Sequence, residues 1–158
     1  GQHILSARPH GRARMILLDV NVLVYAYRED AECHTEYRAW LDRTLEEEAV
    51  IGVAEFVLAS VVRVTTHPKI FAKPSKLADA LGFCDYMREQ ENVIVVAPGK
   101  RHWSLFKELS RNAGAKGNTI TDAYIAALAQ EHGAEMITAD RDFARFAGIH
   151  CRHPLNQP

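Results

Sequence analysis

Short apolar runs alternate with longer segments of helical spacing along most of this chain, and this alternation restricts the possible folds more than any other feature. The runs have the length of buried strands, whereas the segments between them repeat apolar residues at helical intervals. Strands that alternate with helices form a mostly parallel sheet covered by helices on both faces. Strands are predicted at Met15–Leu18, Ala49–Val53, Asn92–Val96, Glu135–Thr138 and Ile149–Cys151, and helices at Asn21–Tyr27, His34–Glu48, Ala54–Thr66, Leu77–Gln90, Arg101–Ala113 and Thr119–His132.

The composition of the 158 residues is that of one globular domain, predicted at 15–158. Residues 1–14 show no strand or helix period, so we interpret them as an expression-tag remnant or as a native basic arm. No signal peptide or membrane-length apolar run is visible, and the three cysteines are widely spaced, which favours the reducing cytoplasm. The net charge of −1 gives no global indication of nucleic-acid binding.

Three acidic residues stand alone in apolar surroundings. Asp19 is the only charged residue between Met15 and Tyr27, and Glu55 and Asp122 are equally isolated in their own segments. A buried carboxylate costs several kcal/mol unless it is paired, protonated or bound to a cation. Structural explanations exist for each one singly, including capping of the helix after Asp19. Together, the isolated acids predict a shared cation site.

A fourth acid follows the strand that ends near residue 138. Asp140 lies in the loop after that strand, at the sheet edge expected for Asp19, because ligands bind at the carboxyl ends of parallel strands. Asp142 is close in sequence, but Arg141 and Arg145 offer it ordinary salt bridges. The choice between Asp140 and Asp142 stays open at this point.

Neutral oxygen donors accompany these acids. Carboxylates and amides are the ligands that Mg²⁺ and Mn²⁺ prefer, and such an ion activates water and neutralises charge on a phosphoryl group. The candidates for orienting ligands or substrate are Asn21, Asn118, Thr121 and Thr138. The segment His150–His153 resembles zinc-ligand spacing only loosely.

The segments that contain the acids resemble the PIN-domain family, most closely its VapC-type toxins. The resemblance rests on LLDVNVL at 17–23, on Glu55 in a helix, on NTITDAYIAALAQEHG at 118–133 and on ITADRDFARF at 137–146, and it includes HPKIF at 67–71. It implies a three-layer α/β/α fold with a central parallel sheet. It also implies an endoribonuclease that depends on Mg²⁺ or Mn²⁺.

The resemblance assigns roles to individual residues. Asp19, Glu55, Asp122 and Asp140 match the catalytic acids of the family, with Asp19 and Asp122 as metal ligands, while Asn21 and Thr138 match its accompanying polar positions. It implies a cognate VapB-type antitoxin as partner, RNA as substrate and a homodimer, with no membrane association. A metal-activated water is the predicted nucleophile.

Two alternatives to a ribonuclease remain to be weighed. A phosphatase of the haloacid-dehalogenase type has a second aspartate two residues after the first, where this chain has Asn21. A catalytically inactive PIN-like or receiver-like module would bind a partner without cutting RNA. For RNA, positive patches are predicted at Lys69, Lys73 and Lys76, at Lys100, Arg101 and His102, and at Arg111 and Lys116.

Overall fold

The computed structural model describes residues 14–156, so the predictions for the first 13 residues lie outside it. It contains five strands, six α-helices and a short 3₁₀ helix within that range. The strands are β1 (Ile16–Leu18), β2 (Ile51–Ala54), β3 (Val93–Val96), β4 (Glu135–Ile137) and β5 (Cys151–Arg152). The helices are α1 (Val20–Tyr27), α2 (His34–Glu47), α3 (Glu55–Thr65), α4 (Leu77–Arg88), α5 (His102–Ala113) and α6 (Asn118–Glu131), and the 3₁₀ helix is Arg141–Arg145.

The sheet has the strand order β3-β2-β1-β4-β5, and all its described pairs are parallel. The chain first moves outward from the central β1 to β2 and β3, and then returns across β1 to β4. Because crossovers between parallel strands are right-handed, these two directions put their helices on opposite faces of the sheet. The predicted three-layer α/β/α fold is confirmed.

The helices form two packed groups that agree with this topology. Helix α1 contacts α2 and α3, and α3 contacts α4, whereas α5 packs mainly on α6. The core between the layers includes all of β1 and β2, and the side chains of Leu17, Leu18 and Ile51 are completely buried. No described helix has the length and apolar character required to cross a membrane.

The predicted element boundaries differ from the structure by one or two residues, with one informative shift. The last strand was expected at Ile149–Cys151 but lies at Cys151–Arg152. Among residues 14–156 this strand is at the sheet edge and pairs only with β4, so its register follows from tertiary contacts that a local pattern does not contain. A basic-patch residue is also placed differently, because His102 is buried and bonds to the carbonyl oxygen of Tyr124.

Candidate active site

A groove of about 480 Å³ opens at the carboxyl ends of β1 and β4. These neighbouring strands lie where the direction of the chain through the sheet reverses, which is the usual ligand position in open α/β sheets. Six predicted site residues line the groove: Asp19, Asn21, Asn118, Thr121, Asp122 and Asp140. Side chains from α1, α3, α6 and the loop before α4 form the rest of its wall, and most of them are apolar.

Asp19 lies between β1 and α1 and is only 4% exposed. Its Oδ1 atom accepts a hydrogen bond from the backbone N–H of Val20 at 2.8 Å, and its Oδ2 atom accepts one from the Thr138 hydroxyl at 2.7 Å. Burial raises the pKa of Asp19, and these two hydrogen bonds oppose that effect. The residue therefore caps α1 and lines the groove at the same time.

The loop after β4 is tied to Asp19 through Thr138. The backbone N–H of Asp140 donates to the Thr138 hydroxyl at 3.0 Å, and Asn21 accepts a bond from the N–H of Ala139 at 3.1 Å. Asp140 accepts from the N–H of Asp142 and thereby caps the 3₁₀ helix. Thr138 itself is buried, so Thr138 and Asn21 fix the loop that carries Asp140.

Asp140, and not Asp142, lines the groove. The Asp142 side chain is 72% exposed and pairs with Arg145 at 3.3 Å. Arg145 also donates to the hydroxyl of Thr119 at 3.1 Å, which connects the 3₁₀ helix to the beginning of α6. The geometry therefore favours Asp140 as the acid of this loop.

Asp122 lies in α6, one residue after Thr121, and faces the same groove. Its pKa is raised to about 6, mainly by burial and further by the charges of Asp19 and Asp140. Arg145 acts in the opposite direction. Three carboxylates on three separate chain segments therefore repel one another here.

Glu55 lies outside this groove, although it follows β2 at the same sheet edge. Its side chain is 74% exposed and pairs with Arg88 of α4 at 3.0 Å. The reason is helical geometry: Glu55 shares one face of α3 with Leu58, Ala59 and Val62, and that face meets α4. The structure thus brings together three of the four predicted acids and leaves the fourth in a neighbouring groove.

A different face of α3 forms the groove wall, and the sequence analysis did not identify it. Phe56, Ser60, Arg63 and Val64 follow the spacing i, i+4, i+7 and i+8, which puts them on one side of the helix. The sequence contained this spacing. Glu55 comes one residue before Phe56 and therefore points about 100° away from this face around the helix. The same groove is also lined by Tyr25, Ile70 and Phe71.

The groove offers oxygen donors of the type that suits a hard divalent cation. Among residues 14–156, no three His, Cys, Asp or Glu side chains would enclose an ion by themselves, and this applies to the segment His150–His153 as well. Mg²⁺ keeps several waters and uses only one or two direct carboxylates, so a pair of aspartates is sufficient. The donor chemistry of Asp19 and Asp122 therefore fits Mg²⁺ or Mn²⁺ and does not resemble a zinc site.

Comparison with protein families assigns the chain to a known class. The PIN domain family model matches residues 16–149, which include all three acids of the groove. The chain therefore belongs to the PIN-domain family.

Individual relatives indicate a particular group within that family. The chain is 40% identical to VapC ribonuclease Mb2897 of Mycobacterium bovis, over 90% of this chain and 97% of that protein. It is 42% identical to ribonuclease VapC25 of Mycobacterium tuberculosis, over 89% and 100% respectively. A structure of VapBC2 from Rickettsia felis bound to a promoter DNA fragment gives a TM-score of 0.66 at 18% identity, over 88% of this chain and 98% of that one. Within the PIN domains, the chain thus groups with the VapC proteins.

Proposed function

We propose that this chain is an endoribonuclease that depends on Mg²⁺ or Mn²⁺ and acts as the toxin of a type II toxin–antitoxin pair. The observation that carries the proposal is the convergence of Asp19, Asp122 and Asp140 in one groove. Two relatives that the chain matches over nearly its whole length are named ribonucleases. The inactive binding module is the alternative, and the absence of Glu55 from the groove is the observation in its favour.

Asp19 and Asp122 would hold the ion. When bound, it would supply Lewis-acid activation of water and neutralise charge on the scissile phosphate. We expect titration calorimetry to detect Mn²⁺ binding by the unaltered chain and none by the double variant Asp19→Asn, Asp122→Asn, which keeps the side-chain shapes and removes both charges. Asp85→Asn is the matched control, since Asp85 is exposed on α4. Undiminished binding by the double variant would contradict the proposed site.

Water is the proposed nucleophile, since none of the side chains that line the groove is a histidine able to activate a ribose 2′-hydroxyl. Attack at phosphorus breaks its bond to the 3′ oxygen, which takes up a proton, and leaves a 5′-phosphate and a 3′-hydroxyl. We assign the orientation of water to Asp140, because its Oδ2 accepts no hydrogen bond from the described residues. Glu55, the other predicted acid for this role, would first have to leave Arg88.

An RNA with one 2′-deoxy sugar on the 5′ side of the cut tests this chemistry. Cleavage by water should survive the change, because the 2′-hydroxyl is not the attacking group. Loss of cleavage together with 2′,3′-cyclic phosphate ends on ordinary RNA would overturn the mechanism. No cleavage of any RNA with Mg²⁺ or Mn²⁺ would support the inactive binding module.

The proposed partners are RNA as substrate, a VapB-type antitoxin and a second copy of the chain. The antitoxin is suggested by the VapBC complex from Rickettsia felis, whose toxin fold this chain shares. A basic side chain of the antitoxin would pair with the three acids of the groove and displace the ion. The homodimer is proposed from the family resemblance alone.

A further inference from the structure

Among the residues that the structure describes, Arg63 is a cation without an acidic partner in a groove that contains three carboxylates. It lies in the last turn of α3, is exposed, and lines the same groove as Asp19, Asp122 and Asp140. Within residues 14–156 it forms no ion pair and no side-chain hydrogen bond. The positive charge that acts on Asp122 comes from Arg145. Arg63 is therefore available to an anionic ligand.

Phe56 presents an aromatic ring on the same face of α3. It lies two helical turns before Arg63, which is about 10 Å along the axis. Its ring is 39% exposed and packs edge-to-face on Tyr124, with ring centres 5.2 Å apart. Tyr124 is itself packed on His102 at 4.4 Å. Phe56 is thus a partly exposed ring whose orientation is fixed by its contact with Tyr124.

We infer that this face of α3 is a nucleotide subsite next to the cleaved bond, in which Arg63 binds a flanking phosphate and Phe56 stacks on a base. A guanidinium binds phosphate oxygens with good geometry, and an aromatic ring stacks on any unpaired base. The acids would bind the ion, and Arg63, which lines the same groove, would supply the positive charge that RNA needs. The inference rests on the proposed ribonuclease function and names the residues that position its substrate.

The salt dependence of RNA binding separates the two contacts. The probe is a fluorescein-labelled, unstructured RNA of mixed sequence, and the background is Asp122→Asn in the full chain, which should bind RNA without cutting it. Fluorescence anisotropy gives the dissociation constant at several KCl concentrations. Each phosphate contact on single-stranded RNA contributes about 0.7 to the slope of log K against log salt.

We expect Arg63→Met to weaken binding roughly tenfold at low salt and to reduce the slope by about 0.7. Arg63→Lys should restore the slope but only part of the affinity, because lysine keeps the charge without the fork of donors. Phe56→Leu should weaken binding at least fivefold without changing the slope, since stacking releases no counterions. Arg43→Met is the control, because Arg43 is exposed on α2 and has no ion pair within 14–156.

Equal affinity and slope for Arg63→Met and its parent would overturn the subsite, as would an equal loss in Arg43→Met. A loss confined to antitoxin binding would also overturn it, because the face would then bind a peptide. If Arg63→Met does not fold, Arg63→Lys still decides through its affinity. Cleavage of the same RNA by the unaltered chain tests the proposed function separately, so that failure of one is distinguishable from failure of the other.

Discussion

Asp122 combines burial with neighbouring negative charges, and this has a measurable effect on stability. Its pKa is about 6 in the folded chain against an ordinary 3.8. The folded protein therefore takes up this proton at a higher pH than the unfolded chain, so its contribution to folding becomes less favourable as the pH rises from about 4 to 6. Above about pH 6, Asp122 is charged in the folded chain, and the full free-energy cost of burying this charge reduces the stability.

We expect Asp122→Asn to raise the metal-free melting temperature at pH 7, with a gain in unfolding free energy of about 1 kcal/mol. The advantage over the unaltered chain should shrink at pH 5, where Asp122 is mostly protonated. Thermal unfolding in EDTA at both pH values measures this. Asp85→Asn should change stability little at either pH, and a clear loss in Asp122→Asn would instead indicate that the carboxylate stabilises α6.

The sequence predicted the position of some isolated acids better than that of others. Asp19 comes directly from a buried strand, so its apolar neighbours indicated its burial correctly. Glu55 has equally apolar neighbours but is the first residue of α3. A shift of one residue along a helix changes the side-chain direction by about 100°, so Glu55 faces α4 whereas the next residue lines the groove. Isolation in sequence indicates apolar surroundings along the chain, whereas the direction of a side chain depends on how its helix is rotated on the sheet.

At the scale of elements, Arg28 anchors the loop between α3 and α4. Its guanidinium donates to the Lys73 carbonyl at 2.7 Å and to the Ser75 hydroxyl at 2.8 Å, and it lies over the Phe71 ring at 4.2 Å. It also pairs with Asp30 at 2.7 Å. This loop contributes part of the apolar groove wall, so one arginine positions that wall.

We expect Arg28→Met to lower the unfolding free energy by about 1–3 kcal/mol, because the hydrogen-bonded carbonyl loses a charged donor. Limited trypsin digestion should cut faster after Lys69 and Lys76 in the variant, since Lys73 precedes a proline and is not a trypsin site. Arg38→Met is the comparison, since its pair with Asp42 is exposed and exposed pairs contribute little. Equal digestion rates for all three proteins would show that the loop holds its position without Arg28.

Replacement by alanine is expected to change stability in opposite directions at two glycines, Gly52 and Gly82. A Cβ on Gly52 in β2 would lie 2.8 Å from Cγ2 of Val96 and 2.9 Å from Sδ of Met15, whereas a Cβ on Gly82 in α4 would contact nothing within 4 Å. Chemical denaturation should show Gly52→Ala less stable by about 1–3 kcal/mol. Gly82→Ala should be more stable by about 0.5–1 kcal/mol. If Gly52→Ala were as stable as the unaltered chain, the side chains of Val96 and Met15 or β2 itself would have to move to accept the methyl group.

For the whole molecule, the fold class could be read from the alternation of strands and helices, but the strand order could not. The order depends on β4 crossing back over β1, and a local apolar run carries no information on which neighbour it will pair with. The central groove follows from that order. Asp19 and Asp140 could be predicted as neighbours because strand ends share an edge, whereas the positions of Asp122 on α6 and of the α3 wall depend on helix packing.

The proposed antitoxin partnership gives a prediction at this scale. Expression of the chain alone should arrest growth, and co-expression of the adjacent small reading frame should restore it, because the antitoxin would cover the acidic groove. Growth curves and co-purification measure this. Asp122→Asn should be harmless without the partner. Failure of both adjacent small reading frames to rescue growth would count against a toxin–antitoxin pair.

The bond between Thr138 and Asp19 joins positions 119 residues apart, and it ties the central β1 to the loop after β4. During translation, β1 leaves the ribosome early and has to wait for β4 before this bond can form. A stalled or truncated product that ends before Thr138 would contain Asp19 but neither Thr138 nor Asp140. A still shorter product would also lack Asp122. An activity that needs this groove would therefore arise only when synthesis is nearly complete, and unfinished chains would be harmless to the cell that makes them.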